Sequence, residues 1–304
     1  MSNVLLRTLP EFANWRAYLD LCKPRVVALL VFTAIGGMLL AVPGVVPLQP
    51  LVLGSLGIAL GSAGAAALNH VMDREADARM RRTDRRPLPS GTLDTTRSLL
   101  FVSVLTALSM FVLTAWVNLL TALLTLAAMI GYAVVYTLYL KRATPQNIVI
   151  GGAAGAMPPV LGWAAVTGEV HPHALLLFLI IFIWTPPHFW ALALHRRNDY
   201  AGVDIPMLPV THGEALTRLH ILLYTLLLLA VSLLPWVIGM AGVVYLLAAL
   251  GFGGRFLWHA LRLWRHAEPG QAMRTFRHSI NYLMGVFGAL LLDHYITIAL
   301  DTWA

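Results

Sequence analysis

Asn69, Asp73 and Asp77 recur at intervals of four in "NHVMDREADARMRRTDRRPLPSG", residues 69–91. On a helix, positions four apart drift about 40° around the axis and rise about 6 Å. The three side chains then stack along one face. Two carboxylates one turn apart repel each other, so something cationic should compensate. Mg2+ suits them, because it prefers oxygen ligands, takes one or two carboxylates and completes its shell with water and phosphate oxygens. Asn69 could add a carbonyl oxygen or orient a phosphate. Arg74, Arg79, Arg81, Arg82, Arg85 and Arg86 belong to the same stretch, and guanidinium groups grip phosphate oxygens in a bidentate fork. Acids and arginines beside a long apolar run are what a diphosphate with a greasy tail needs. The plainer account is a solvated loop whose arginines only fix topology; it fits the arginines better than the acid face, which begins inside the apolar run.

A second polar cluster, "HFWALALHRRNDYAGVDIPMLPVTHG", runs from His188 to Gly213. His195 and Asp199 are again four apart and Asp204 follows, so this could be a second half-site for metal and diphosphate facing the first. Taken alone it also reads as an amphipathic loop. Further cations, Lys141 and Arg142 in "YTLYLKRATPQN" and Lys23 and Arg25 near the N-terminus, could clamp phosphate oxygens or simply snorkel at an interface.

The elements that position these groups follow from composition. The chain has 304 residues, 59% hydrophobic and 12% charged, with a mean hydropathy of +0.75. Soluble domains carry roughly a quarter charged residues. Stretches 26–72, 98–140, 143–168, 170–195, 219–254 and 279–292 hold no Asp, Glu, Lys or Arg. About 20 apolar residues cross a bilayer as a helix, and lipid offers no partner to unpaired backbone groups. Breaking the longest stretches at "VPGVVPLQP", near 116–118 and at "GMAG" gives nine transmembrane helices, an all-α integral membrane bundle. The expected domain is 26–304, preceded by a cytoplasmic segment, 1–25. All 21 Lys and Arg fall in that segment or around the loops after even-numbered helices. The positive-inside rule puts the N-terminus and those loops in the cytoplasm. The net charge of +7 follows from this confinement and, without a nucleic-acid module, does not point to nucleic acid. The single Cys22 excludes an internal disulfide and a cysteine metal cluster. Pro158–Pro159 and Pro186–Pro187 should bend their helices, and glycines at 151, 152, 155 and 162 either open a slot or let helices approach.

On the motifs just quoted, together with "WTPPHFW" and "DHY" near the C-terminus, the chain resembles the UbiA superfamily of intramembrane prenyltransferases over nearly its whole length, and its middle motifs resemble the branch that prenylates heme. The resemblance implies a UbiA-like bundle in the bacterial inner membrane with its active-site mouth on the cytoplasmic side. It implies that Asn69, Asp73 and Asp77 hold Mg2+ and diphosphate, that Asp199 is the last acid of a second motif, and that Asp204, offset from the usual spacing, joins the metal set. The first place of that second motif holds His195 instead of an acid, as is common in the heme branch. Arg82, Arg86, Lys141, Arg142 and Lys23 are then diphosphate-binding candidates. The implied substrates are farnesyl diphosphate and heme B, the implied product heme O, and heme A synthase a candidate partner. His188 and His195 are candidates for contact with the heme. Asp293 and His294, on the far face, hold a heme edge or propionate or cap a helix. The rival readings are a sister enzyme acting on a quinone precursor or chlorophyll-type ring, and a non-enzymatic heme or lipid carrier.

Overall fold

The computed structural model describes residues 14–80, 83–202, 205–266 and 268–303. Among them every regular element is helical. A short helix, α1 (Trp15–Leu21), meets α2 (Pro24–Leu40) at a bend of 54°. The long helices follow: α3 (Pro50–Arg79), α4 (Thr95–Trp116) and α5 (Leu119–Ala143). The next span is interrupted at Met157 into α6 (Asn147–Ala156) and α7 (Pro158–Thr167). Then come α8 (Pro172–His195), two short helices α9 (Arg197–Ala201) and α10 (Leu208–Thr211), and the closing trio α11 (Gly213–Val237), α12 (Val243–His266) and α13 (Gln271–Trp303). Among the described residues eight spans are long and apolar enough to cross a membrane, and the bent α1–α2 pair brings the count to nine. The protein is an integral membrane protein.

Sequence sets the ends of these helices. Asp94 accepts a hydrogen bond from the Arg97 amide at 3.2 Å, and Asn118 one from the Thr121 amide at 2.8 Å, so each caps the helix it precedes. Gly168 closes α7 at φ 75°, a conformation that glycine adopts without strain. The aromatic core lies between α8, α12 and α13, where Trp184, Tyr245, Phe256, Tyr282 and Phe287 are buried. Outward-facing Leu100, Phe111, Leu138 and Leu247 are exposed and apolar, as a lipid-facing surface requires.

The proline pair at 158–159 does interrupt its span, but α8 runs on through Pro186 and Pro187. Trp184, Thr185, both prolines and His188 are all buried, so packing on several sides holds the segment helical despite two missing donors. Asp293 belongs to the closing helix. It lies inside α13, and its carboxylate accepts from the backbone amides of Gly242 and, at 3.2 Å, Tyr245. It thus caps α12 from a neighbouring helix, where exposed amides and the helix dipole favour an anion. Of the two roles open to Asp293, the structure shows the cap. Asp293→Ala is expected to cost about 1–3 kcal/mol through unpaired buried donors, seen as a lower thermal midpoint in detergent with the packing around Asn69, Asp73 and Asp77 unchanged.

Candidate functional site

The acid face forms as its spacing predicts. Asn69, Asp73 and Asp77 lie on α3 and are all buried. Asn69 Nδ2 donates to Asp73 Oδ2 at 2.9 Å. Lys141 Nζ sits 2.7 Å from the same oxygen, and Arg86 Nη1 sits 2.7 Å from Asp77 Oδ2. Lys23 Nζ donates to Asn69 Oδ1 at 2.5 Å. The compensating cations are therefore supplied from three other segments: the turn before α2, the loop after α3 and the end of α5.

Local structure explains each arrival. Lys23 precedes Pro24 and takes a left-handed conformation, φ 49°, which costs a non-glycine residue roughly 1–2 kcal/mol. That turn aims its side chain at Asn69. Arg86 returns to α3 because Thr83 Oγ1 bonds the Asp77 carbonyl at 2.9 Å and folds the loop back. Lys141 arrives through an unusual stretch of winding. Residues Gly131–Leu140 of α5 are π-helical, with bonds five residues apart instead of four. On an ordinary helix, residues 132 and 141 differ by about 900°, half a turn out of phase. Wider winding takes more than four residues per turn, so positions 132 and 141 come round to nearly the same face. Thr137 Oγ1 accepts from Asn69 Nδ2 at 3.1 Å and donates to the Tyr132 carbonyl at 2.9 Å. The Tyr132 and Tyr136 rings stack at 5.7 Å beside this cluster, and a methyl at Gly151 would lie 2.1 Å from the Tyr136 ring. Sequence reading had no signal for Thr137 or Tyr132, whereas Gly151 takes the close-approach role that was open to it.

His70 is buried, and neither ring nitrogen has a hydrogen-bond partner among the described residues, within the electrostatic reach of Lys23 and Arg86. It adds hydrogen-bonding capacity to a pole already rich in cations.

The other candidates lie elsewhere. Asp199, on α9, is bound by Arg196 at 3.4 Å and is more than a third exposed. It lines an open groove with His195, Arg197 and Glu214. Arg142 is exposed beside Lys141. Arg82 and Asp204 lie outside the described residues. Among the described residues no three metal-ligating side chains gather, so the structure does not bring Asp199 into one ligand group with Asp73 and Asp77. It stands past the C-terminal end of α8, where Arg196, three residues back, holds it. His188 is buried in α8 with its ring between Trp184, at 4.2 Å, and Phe276, at 4.5 Å.

A helical membrane bundle with buried acids and cations at one pole defines a class. Residues 29–284 match the UbiA prenyltransferase family, and the chain belongs to that family. Within it, a protein of Methylococcus capsulatus named protoheme IX farnesyltransferase is 63% identical over 94% of this chain and 96% of its own length. One of the same name from Marinobacter nauticus is 61% identical over 93% of this chain and 94% of its own length. The fold matches solved structures of low identity. A digeranylgeranylglyceryl phosphate synthase superposes with a TM-score of 0.78 at 17% identity, covering 93% of this chain and 99% of that one. A UbiA homologue from Archaeoglobus fulgidus, bound to GPP and Mg2+, gives 0.61 at 19% identity, covering 90% of this chain and 99% of that one.

Proposed function

We propose that this protein transfers the farnesyl group of farnesyl diphosphate to a vinyl group of heme B, with addition of water, giving heme O and diphosphate. The observation that carries the transferase half is the buried pole itself: Asn69, Asp73 and Asp77 enclosed by Lys23, Arg86 and Lys141 at one end of an apolar bundle. The acceptor is taken from relatives 57–63% identical over nearly the whole chain, named for protoheme IX.

The donor chemistry of the pole fits a hard divalent ion. Its oxygens come from two carboxylates and an amide, and an ion of this kind leaves its remaining positions to water and phosphate. Asp73 and Asp77, with Asn69, would hold Mg2+, which neutralises diphosphate oxygens and eases their departure. Lys141, Arg86 and Lys23 bind the same diphosphate, with Arg82 and Arg142 as further candidates for that role. These fixed charges stabilise negative charge as it develops on the leaving group. The bond from farnesyl carbon to oxygen breaks, and diphosphate leaves with the electron pair. The vinyl π electrons form the new carbon–carbon bond. The cation left beside the porphyrin ring takes up water and releases a proton. The apolar bundle keeps water from the allylic carbon until the acceptor is in place. The confinement of basic residues to one set of loops supports a cytoplasmic mouth and an inner-membrane location, with a heme A synthase receiving the product.

The test is incubation of membranes containing the protein with farnesyl diphosphate, Mg2+ and heme B. A more hydrophobic heme is expected on chromatography, and chelation of Mg2+ should abolish it. Prenylation of 4-hydroxybenzoate with heme untouched would replace this reading with the quinone-precursor one.

A further inference from the structure

We propose that His188 binds the iron of the heme acceptor through Nε2, and that Ser279 is the positioning residue that keeps that nitrogen's lone pair available. The inference rests on the heme reading above.

The argument begins with one hydrogen atom. Ser279 Oγ donates to the Phe276 carbonyl at 2.6 Å. A hydroxyl has a single hydrogen to give. The same oxygen lies 2.6 Å from His188 Nδ1, where it can only accept, so Nδ1 carries the proton. In the neutral ring the lone pair then belongs to Nε2. This is the arrangement of ligating histidines, which donate the other ring N–H to an outer partner that fixes tautomer and orientation.

The ring is also fixed in place. Trp184 and Phe276 cover its two faces at 4.2 and 4.5 Å, tilted by 21° and 28°. The Trp184 indole donates to the Ser279 carbonyl at 2.7 Å, tying the clamp to the same residue. Phe189 meets the ring edge-on at 5.1 Å and 88°, so only the rest of the imidazole edge is left to meet a ligand. Nε2 has no hydrogen bond among the described residues, and unlike both nitrogens of His70 it is not sealed from contact. Other histidines are differently engaged: His278 Nε2 lies 3.3 Å from the Phe252 carbonyl, and His294 Nε2 lies 3.1 Å from that of Val42.

Depth agrees with this role. α3 and α8 are the second and sixth spans, so their C-terminal ends share a membrane face. Asp73 is six residues before Arg79 and His188 seven before His195. At 1.5 Å per residue both lie about 10 Å inside their helix ends. An iron ligand there holds the porphyrin level with the diphosphate pole.

The experiment titrates heme B into the purified full-length protein in lipid nanodiscs and follows the Soret band. Wild type should show a histidine-ligated spectrum. His188→Ala should bind at least 10-fold more weakly with a shifted band, and added imidazole should restore the band. Ser279→Ala should weaken heme binding about 10- to 100-fold, the range for loss of an outer-shell partner, and Ser279→Thr should recover it. Stabilisation by Mg2+ with inorganic diphosphate, measured as a thermal shift, should be the same in all four proteins and reports that each is folded. An unchanged band and affinity in His188→Ala, with wild type binding heme, overturns the inference alone. A wild type that neither binds heme nor makes a heme product, while prenylating another acceptor, removes the heme reading and the inference with it.

Discussion

Asp73→Asn is expected to lower turnover at least a thousandfold while leaving a folded protein. The substitution keeps the size of the side chain, and its amide oxygen can still accept from Asn69 Nδ2. What it removes is the charge that faces Lys141 Nζ at 2.7 Å and that would hold the divalent ion. A thousandfold loss corresponds to about 4 kcal/mol of transition-state stabilisation at 1.36 kcal/mol per factor of ten. Breaking a buried ion pair by removing one partner costs about 3–5 kcal/mol when the other charge is trapped. Lys141 keeps 15% of its side-chain surface exposed and can turn toward water, so the stability loss should fall below that range. Turnover at saturating farnesyl diphosphate across a Mg2+ titration, beside thermal unfolding, separates the two effects. If Asp73 were only a counter-ion for Lys141, the variant would unfold earlier but turn over normally per folded molecule. That outcome would revive the carrier reading, in which the acids have no chemical step to perform. Asp77→Asn, which frees Arg86 in place of Lys141, should behave alike.

The charged pole was largely legible because its chemistry is written in local spacing. Asn69, Asp73 and Asp77 fall on one face of any helix, and an apolar run of more than forty residues ending there leaves little doubt about its depth. The number of spans and the face shared by even-numbered loops came from the same source, the distribution of charge. Other features depend on geometry that sequence period does not encode. Helical periodicity puts Tyr132 and Lys141 on opposite sides of α5, and only the π winding of Gly131–Leu140 brings their face together. The pairing of Arg86, out of six arginines nearby, depends on the Thr83 turn. Asp199 and His195 have the spacing of the first cluster, yet they straddle the end of α8. A spacing of four carries a common face only while the helix continues.

Gly162→Ala is expected to be the most damaging single methyl added to this protein. The glycines at 151, 152, 155 and 162 look equivalent in sequence, able either to widen a slot or to let helices touch. The structure separates them. A Cβ at Gly162 would lie 1.9 Å from the Ala34 carbonyl oxygen, and one at Gly37 would lie 2.2 Å from the Pro159 carbonyl oxygen. The two contacts are reciprocal, Ala34 and Gly37 on α2 against Pro159 and Gly162 on α7, so the helices meet backbone to backbone. Overpacking a core costs about 1–3 kcal/mol when side chains can shift. Here the obstacle is a carbonyl, and whole helices must separate, so the loss should reach or exceed the top of that range. The damage should also reach the charged pole, because α2 begins at Pro24 and fixes the turn that aims Lys23 at Asn69. Gly155 provides the internal control. Nothing lies within 4 Å of a Cβ built there, and Gly155→Ala, in the last turn of α6, should be neutral or stabilising by up to about 0.5–1 kcal/mol. Folded yield and the thermal midpoint in micelles compare the two. A wild-type midpoint for Gly162→Ala would mean that α2 and α7 are farther apart than these distances state, and Lys23 would lose its route to Asn69.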